Sequence, residues 1–309
     1  MSRIAAEMSR LLSTTPVDLV IERYALESGV AGRLCARFGV PHLLEVNAPI
    51  VLEAARHRDL TNVGMWLRRE ESTFRSTRFM MVVSSELERY VHSVAPDAAV
   101  TVTPNGVDVE LFGSGPRMAL GLPPDAVVMG FAGSMRPWHG VEDLVAASAG
   151  VLARHTRAVL VLAGDGQQLP GIRDQVASLK LNGRVRFLGA LEYQQMPALL
   201  RAIDVAAAPY LPSGDFYFSP IKILEYMASG CAVVYPSIGD LPCIVDGCGL
   251  AYRAGDVGEL ESALERLVTN AVMRGDIGRR ARQRALEFTW DAVVTSIENL
   301  VRPALASSP

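Results

Sequence analysis

The chain has 309 residues, half of them apolar and a fifth charged, with a formal net charge of −3. That length accommodates two domains of roughly 100–200 residues each. The slightly acidic balance lays out no broad basic field, which argues against nucleic acid as a partner, and no run of about 18 apolar residues occurs to span a bilayer as a helix.

The first stretch, "MSRIAAEMSRLLSTTP", predicts an amphipathic helix with Ile4, Met8, Leu11 and Leu12 on one side. It lacks the continuous apolar core and small-residue cleavage site of a signal peptide, so a cytoplasmic protein is expected, soluble or peripheral to a membrane. Strand and helix then alternate. "VDLVIERY" predicts a strand, "ESGVAGRLCARFG" a helix and "PHLLEVNAP" a strand. A longer helical stretch is expected from Val51 to Arg78, followed by the strand "RFMMVVSS", the helix "ELERYVHSV" and the strand "AAVTVTPNGV". "FGSGPRMALGLPPDA" has the Gly and Pro content of a linker. A second series follows, with strands "VVMGFAG", "RAVLVLAG", "RVRFLG", "DVAAAPY", "CAVVYP" and "GLAYR" separated by helices, and further helices fill Gly258 to Ala306.

Short apolar runs separated by helices indicate parallel strands buried on both faces. Two such series predict an α/β protein of two doubly wound, Rossmann-like domains facing a cleft. The four cysteines, Cys35, Cys231, Cys243 and Cys248, form neither a Cys-x-x-Cys pair nor a zinc spacing, and are expected to be reduced thiols.

In open parallel sheets ligands sit at the carboxyl ends of the strands, so the loops after strands carry the chemistry. "GSMRPWHG" offers Gly133 and Ser134 for close backbone approach, a helix start near Gly140 for an anion, and Arg136 and His139 as side-chain donors to a diphosphate. The competing reading is an ordinary tight turn with Trp138 packed down. "GDGQQLPG" does not fit the dinucleotide fingerprint and reads as a turn, with a nucleotide-facing loop as the alternative. In "FYFSPIKILEYMASG", Ser219 is expected to cap a helix, Pro220 to occupy its first turn and Gly230 to stop it. Lys222 and Glu225 are spaced i,i+3 and share a face. They make either a surface ion pair or a site in which Glu225 accepts hydrogen bonds from a ribose diol and Lys222 adds to the helix dipole's pull on a phosphate.

Taken together and in this order, "PNGVDVELF", "FAGSMRPWHGVEDLV", "VLAGDGQQLP", "RVRFLGALEYQQMPALLRAIDVAAAPY" and "FYFSPIKILEYMASGCAVV" resemble the retaining, nucleotide-sugar-dependent glycosyltransferases of family 4, which have the GT-B fold. The resemblance runs from about Pro16 to Trp290. It implies an N-terminal acceptor-side domain over residues 1–110, a nucleotide-sugar domain over 111–290, and a C-terminal helix, 291–309, packing back on the first. It also implies that roughly two strand–helix units of the first domain are absent. A protein partner or self-association is then expected at its uncovered edge.

The resemblance further implies the site. Glu225 matches the second Glu of the family's E-x7-E motif, which binds ribose; the first falls at Tyr217, where Asp215 is a nearby substitute. Phe218, Ser219, Pro220 and Ile221 match the segment that approaches sugar and phosphates. Arg136 and His139 occupy the diphosphate loop, with Lys222 compensating for a His where the family has Lys. Leu188 and Leu191 bracket the turn that holds the base. Asn47 stands where many members have a His near the reacting sugar. Arg136, Lys222 and Asn47 are the expected catalytic groups. No metal or other cofactor is implied, and the chain has no Asp-x-Asp triplet. Glu22 and Glu45, after the first two strands, are alternative carboxylates. The implied function is transfer of a hexose-type sugar from a UDP- or GDP-sugar to an unidentified acceptor hydroxyl. A partner-dependent nucleotide-sugar-binding subunit and a nucleotide-sugar epimerase are the alternatives.

Overall fold

The structure, a computed structural model, describes residues 3–212 and 216–305, without the side chain of His57. Two compact units emerge. Unit 1 comprises the residues up to Asn105, Tyr217–Ser219 and the residues from Asp291 on; unit 2 comprises Gly106–Phe216 and Pro220–Trp290.

Unit 1 begins with α1 (Arg3–Thr14), β1 (Val20–Arg23), α2 (Val30–Phe38) and β2 (His42–Val46). The expected longer helical stretch is two helices, α3 (Ile50–His57) and α4 (Val63–Ser76). The break falls where Asp59 and Asn62 take left-handed backbone conformations, φ 48° and 55°, which an α-helix cannot contain. Then come β3 (Phe79–Val82), α5 (Ser85–Val94) and β4 (Val100–Val102). The four strands are parallel and ordered β1-β2-β3-β4. The Ser84 hydroxyl caps α5 by accepting from the Leu87 N–H, and Leu44, Val46, Phe74, Met80 and Leu87 form the core beneath the sheet.

Unit 2 carries α6 (Val109–Gly113), β5 (Val127–Ala132), α7 (Val141–Arg154), β6 (Ala158–Ala163), α8 (Leu169–Ser178), β7 (Val185–Gly189), α9 (Met196–Ala202), β8 (Val205–Ala207), α10 (Ile221–Ala228), β9 (Ala232–Pro236), α11 (Leu241–Val245), β10 (Gly249–Tyr252), α12 (Val257–Thr269) and α13 (Ala271–Ala285). Its sheet is parallel in the order β10-β9-β8-β5-β6-β7. Every residue of β6, "AVLVLA", is buried, as expected of a central parallel strand covered on both faces, where each Val or Leu contributes about 1.5–3 kcal/mol by leaving water. Back in unit 1, α14 (Trp290–Leu305) sets Val301 against Leu43, Phe79 and Met81.

In unit 2 the chain winds outward from β5 in one direction through β6 and β7, and from β8 in the other through β9 and β10. The carboxyl ends of β5 and β8 are therefore the point where strand order reverses, and crevices at such points receive ligands.

Candidate donor site of unit 2

The floor of the switch point is a strand gap. β5 and β8 pair only at Met129–Val205 and Gly130–Ala206, while β5 runs on to Ala132. The fully buried Tyr226 of α10 fills the gap: its hydroxyl accepts from the Ala132 N–H at 2.9 Å and donates to the Ala132 carbonyl at 3.2 Å. Both backbone groups are thereby satisfied, and α10 is pinned by its middle to the end of β5.

One turn before the pin, Lys222 Nζ is shut off from solvent and makes no hydrogen bond among the described residues. It lies 4.4 Å from the Phe131 ring centroid and 5.3 Å from that of Tyr210. Gly133 makes room for it. A Cβ there would stand 2.7 Å from Nζ, and the backbone φ of 145° suits glycine alone. The expected ion pair with Glu225 does not supply a hydrogen-bond partner to Nζ. Burial brings Lys222 down to about 7, against the pull of Glu225, and pushes Glu225 up to about 7, against the pull of Lys222. Among the described residues, a buried amine without a hydrogen-bond partner and a buried carboxyl group thus flank the first turns of one helix.

His139 closes a third side. Its ring lies 5.6 Å from Tyr210 and 6.0 Å from Phe131, and its Nδ1 meets the Ser134 carbonyl. Burial above all, then the charges of Lys222 and Arg136, hold it down to about 4. It is a neutral imidazole near pH 7, which leaves Lys222 as the buried basic group beside it. Arg136 is exposed, with its guanidinium 5.9 Å from the Trp138 ring centroid.

The two helix starts differ. α7 opens at Gly140 without a side-chain cap but with Glu142 and Asp143 in its first turn, which offsets the dipole's attraction for an anion. α10 has no acidic residue in its first turn and no side-chain cap, leaving orphan N–H groups beside Lys222. The first turn of α10 therefore carries less negative charge than that of α7. The backbone of the "GSM" loop is fixed by Gly133 N–H to Ala163 O at 3.0 Å and Met135 N–H to Asp165 O at 2.8 Å.

The other predicted residues fall as follows. Ile221 starts α10 and Pro220 is its cap residue. Ser219 does not cap the helix: its hydroxyl accepts from the Asn105 N–H at 3.0 Å, and the Asn105 side chain donates to the Ser219 carbonyl at 2.7 Å. This serine belongs to unit 1, as does Phe218, whose ring lies 4.5 Å from that of Tyr217. Tyr217 donates its hydroxyl to Glu53. Leu188 lies in β7 and Leu191 just beyond it, both part-buried, and Gly189 between them accepts from the Gly164 N–H at 2.7 Å. Asn47 follows β2 in unit 1, and its Oδ1 is buried without a hydrogen-bond partner among the described residues. Asp215 lies outside the described residues. Of the alternative carboxylates, Glu22 pairs with His42 at 2.9 Å and Glu45 with Arg23 at 3.1 Å. Tyr226, Phe131 and Tyr210 were not anticipated. They read in the sequence as core residues of a helix, a strand and a loop.

Residues 126–270 match the family described as glycosyl transferases group 1. A D-inositol 3-phosphate glycosyltransferase of Saccharomonospora viridis is 31% identical over 94% of this chain and 71% of its own length. Another of that name, from Stackebrandtia nassauensis, is 33% identical over 88% of this chain and 65% of its own length. Among solved structures, Anabaena HepE in complex with UDP and glucose superposes with a TM-score of 0.76 at 19% identity, covering 98% of this chain and 82% of that one. Structural likeness at that identity speaks for the fold, which is GT-B with two Rossmann-like units. On the strength of its sequence relatives, the chain belongs to the group 1 glycosyltransferases.

Proposed function

We propose that unit 2 binds a nucleoside-diphosphate sugar at its switch point, and that the chain transfers the sugar to an acceptor hydroxyl with retention of configuration. The observation that carries this reading is the desolvated Lys222 Nζ, without a hydrogen-bond partner among the described residues, beside an uncapped helix start, with Glu225 one turn further on. Such an arrangement suits a phosphate oxygen at Nζ and the α10 N–H groups, and a ribose diol on the Glu225 carboxylate. The backbone at Gly133, Ser134 and Phe218 to Ile221 approaches phosphate and sugar, and the Leu188–Leu191 turn receives the base. Arg136 adds charge from the rim.

During transfer the bond between the anomeric carbon and the diphosphate oxygen breaks as the acceptor oxygen attacks from the same face. The acceptor proton passes to the leaving diphosphate. Negative charge growing on that group is met by Lys222 and by oriented N–H groups, the kind of preorganised stabilisation that needs no metal ion. Asn47, in unit 1, can hydrogen-bond but cannot titrate, so no proton transfer is assigned to it. UDP- and GDP-hexoses are the donors to test. The names of the two relatives make a phosphorylated inositol the first acceptor to try.

Glu225→Ala should weaken binding of the preferred nucleoside diphosphate by one or two hydrogen bonds to an ionised acceptor, roughly 1.5–3 kcal/mol each. Titration calorimetry with UDP and GDP reads this directly. An unchanged dissociation constant would remove Glu225 from the site.

A further inference from the structure

Among the described residues, Lys222 Nζ faces two aromatic rings and no hydrogen-bond acceptor. Ring faces attract an ammonium, but they replace only part of the water shell it has lost. The neutral amine is therefore a real competitor for the empty site. The groups around it are few. Glu225 and Tyr226 stand on α10, Tyr210 follows β8, and His139 and Arg136 belong to the loop after β5. Burial pushes the Tyr210 and Tyr226 hydroxyls up, so both keep their protons near neutral pH. His139, held down to about 4, is already neutral. Arg136 contributes a fixed positive charge. Glu225, pushed up to about 7 by burial, is mainly ionised at pH 8 and has little proton to hand over there. Burial leaves Lys222 at about 7, so at pH 8 the amine is mainly neutral.

We propose that docking a nucleoside diphosphate draws a proton from solution onto Lys222 Nζ, so that the site becomes cationic only when it holds its ligand. This rests on unit 2 being the nucleotide-sugar site. The step forms one N–H bond and changes no oxidation state: the proton leaves the buffer, and the new ammonium is neutralised by phosphate oxygens. Without its ligand the site would then hold no bare buried ammonium.

Calorimetry at pH 8, where the nucleotide's own phosphate (last pKa about 6) is ionised, tests this with UDP and GDP in two buffers of different ionisation enthalpy. The expected result is close to one proton taken up per nucleotide, with the dissociation constant rising about tenfold per pH unit between pH 8 and 9, as linkage requires. Lys222→Arg keeps a charge that cannot be lost and should bind without proton uptake and with a flat pH profile. His139→Gln should retain the uptake. Binding without uptake in the natural protein, or equal uptake in the Lys222→Arg protein, would overturn the proton step while leaving the donor site standing. Failure of both nucleotides to bind would overturn the two together.

Discussion

Unit 1 buries Glu70 and unit 2 buries Lys222, and the surroundings of the two differ. The Glu70 carboxylate accepts from the Tyr24 hydroxyl at 3.0 Å and from the Tyr90 hydroxyl at 2.5 Å. Burial pushes its pKa up while those two bonds pull it down. Lys222 has ring faces and, among the described residues, no hydrogen-bond partner. A buried polar group with a complete set of partners rigidifies the fold around it. One left without partners costs stability until something arrives to fill the place. The first arrangement therefore reads as architecture and the second as a site, although both are single ionisable side chains inside an α/β unit.

Breaking the closed arrangement should give the largest effect. Glu70→Ala leaves two tyrosine hydroxyls without their acceptor, at about 1–3 kcal/mol each, and should lower stability by roughly 3 kcal/mol in denaturant unfolding. Affinity of the folded fraction for UDP or GDP should not move. A loss of nucleotide affinity would erase the distinction between the two clusters.

Lys222→Met should do the reverse. Removing the charge costs the phosphate contact roughly 1.5–3 kcal/mol, which calorimetry reads as about ten- to a hundredfold weaker binding, while the melting temperature of the ligand-free protein rises. The gain follows pH in a defined sense. Lys222 has a folded pKa of about 7 against an ordinary 10.5, so the unfolded chain holds more protons between those values and stability rises with pH there. The advantage of Met should be full below about pH 7 and fade towards pH 10.5. An advantage that grew with pH would mean Lys222 is paired after all.

Arg136→Ala should have the smallest effect. The side chain is exposed, and exposed charges contribute up to about 1 kcal/mol. The loss should be larger for UDP or GDP than for the bare nucleoside, since a guanidinium pairs with phosphate oxygens. Equal losses would make the residue structural.

The ten strands could be read from the sequence because parallel, doubly covered strands are nearly pure apolar runs, as "AVLVLA" and "AVVYP" show. The order of motifs gave the family for a similar reason, since each sits in a loop after such a strand. The helix break at Asp59 and Asn62 was hidden, because no Gly or Pro marks it and left-handed Asp and Asn look like any polar residues. Ser219 misled because a Ser before a helix reads as a cap, and its competitor Asn105 lies 114 residues away. The same distance problem hid the Glu70 cluster, whose tyrosines are 46 and 20 residues off. The spacing of Lys222 and Glu225 was visible, but the rings that make Lys222 unusual come from β5 and from the loop after β8.

The pin at Tyr226 has a consequence for how this chain tolerates change. Lys222, Glu225 and Tyr226 use three positions of one eight-residue helix, two assigned to the proposed nucleotide site and one turned to the strand gap. Insertion of a single residue between Lys222 and Tyr226 would rotate one part against the other by about 100°, given 3.6 residues per turn. Either the hydroxyl would leave Ala132 or the ammonium would leave its rings. Length variation is therefore closed inside α10, and natural insertions that preserve the site should fall outside that helix.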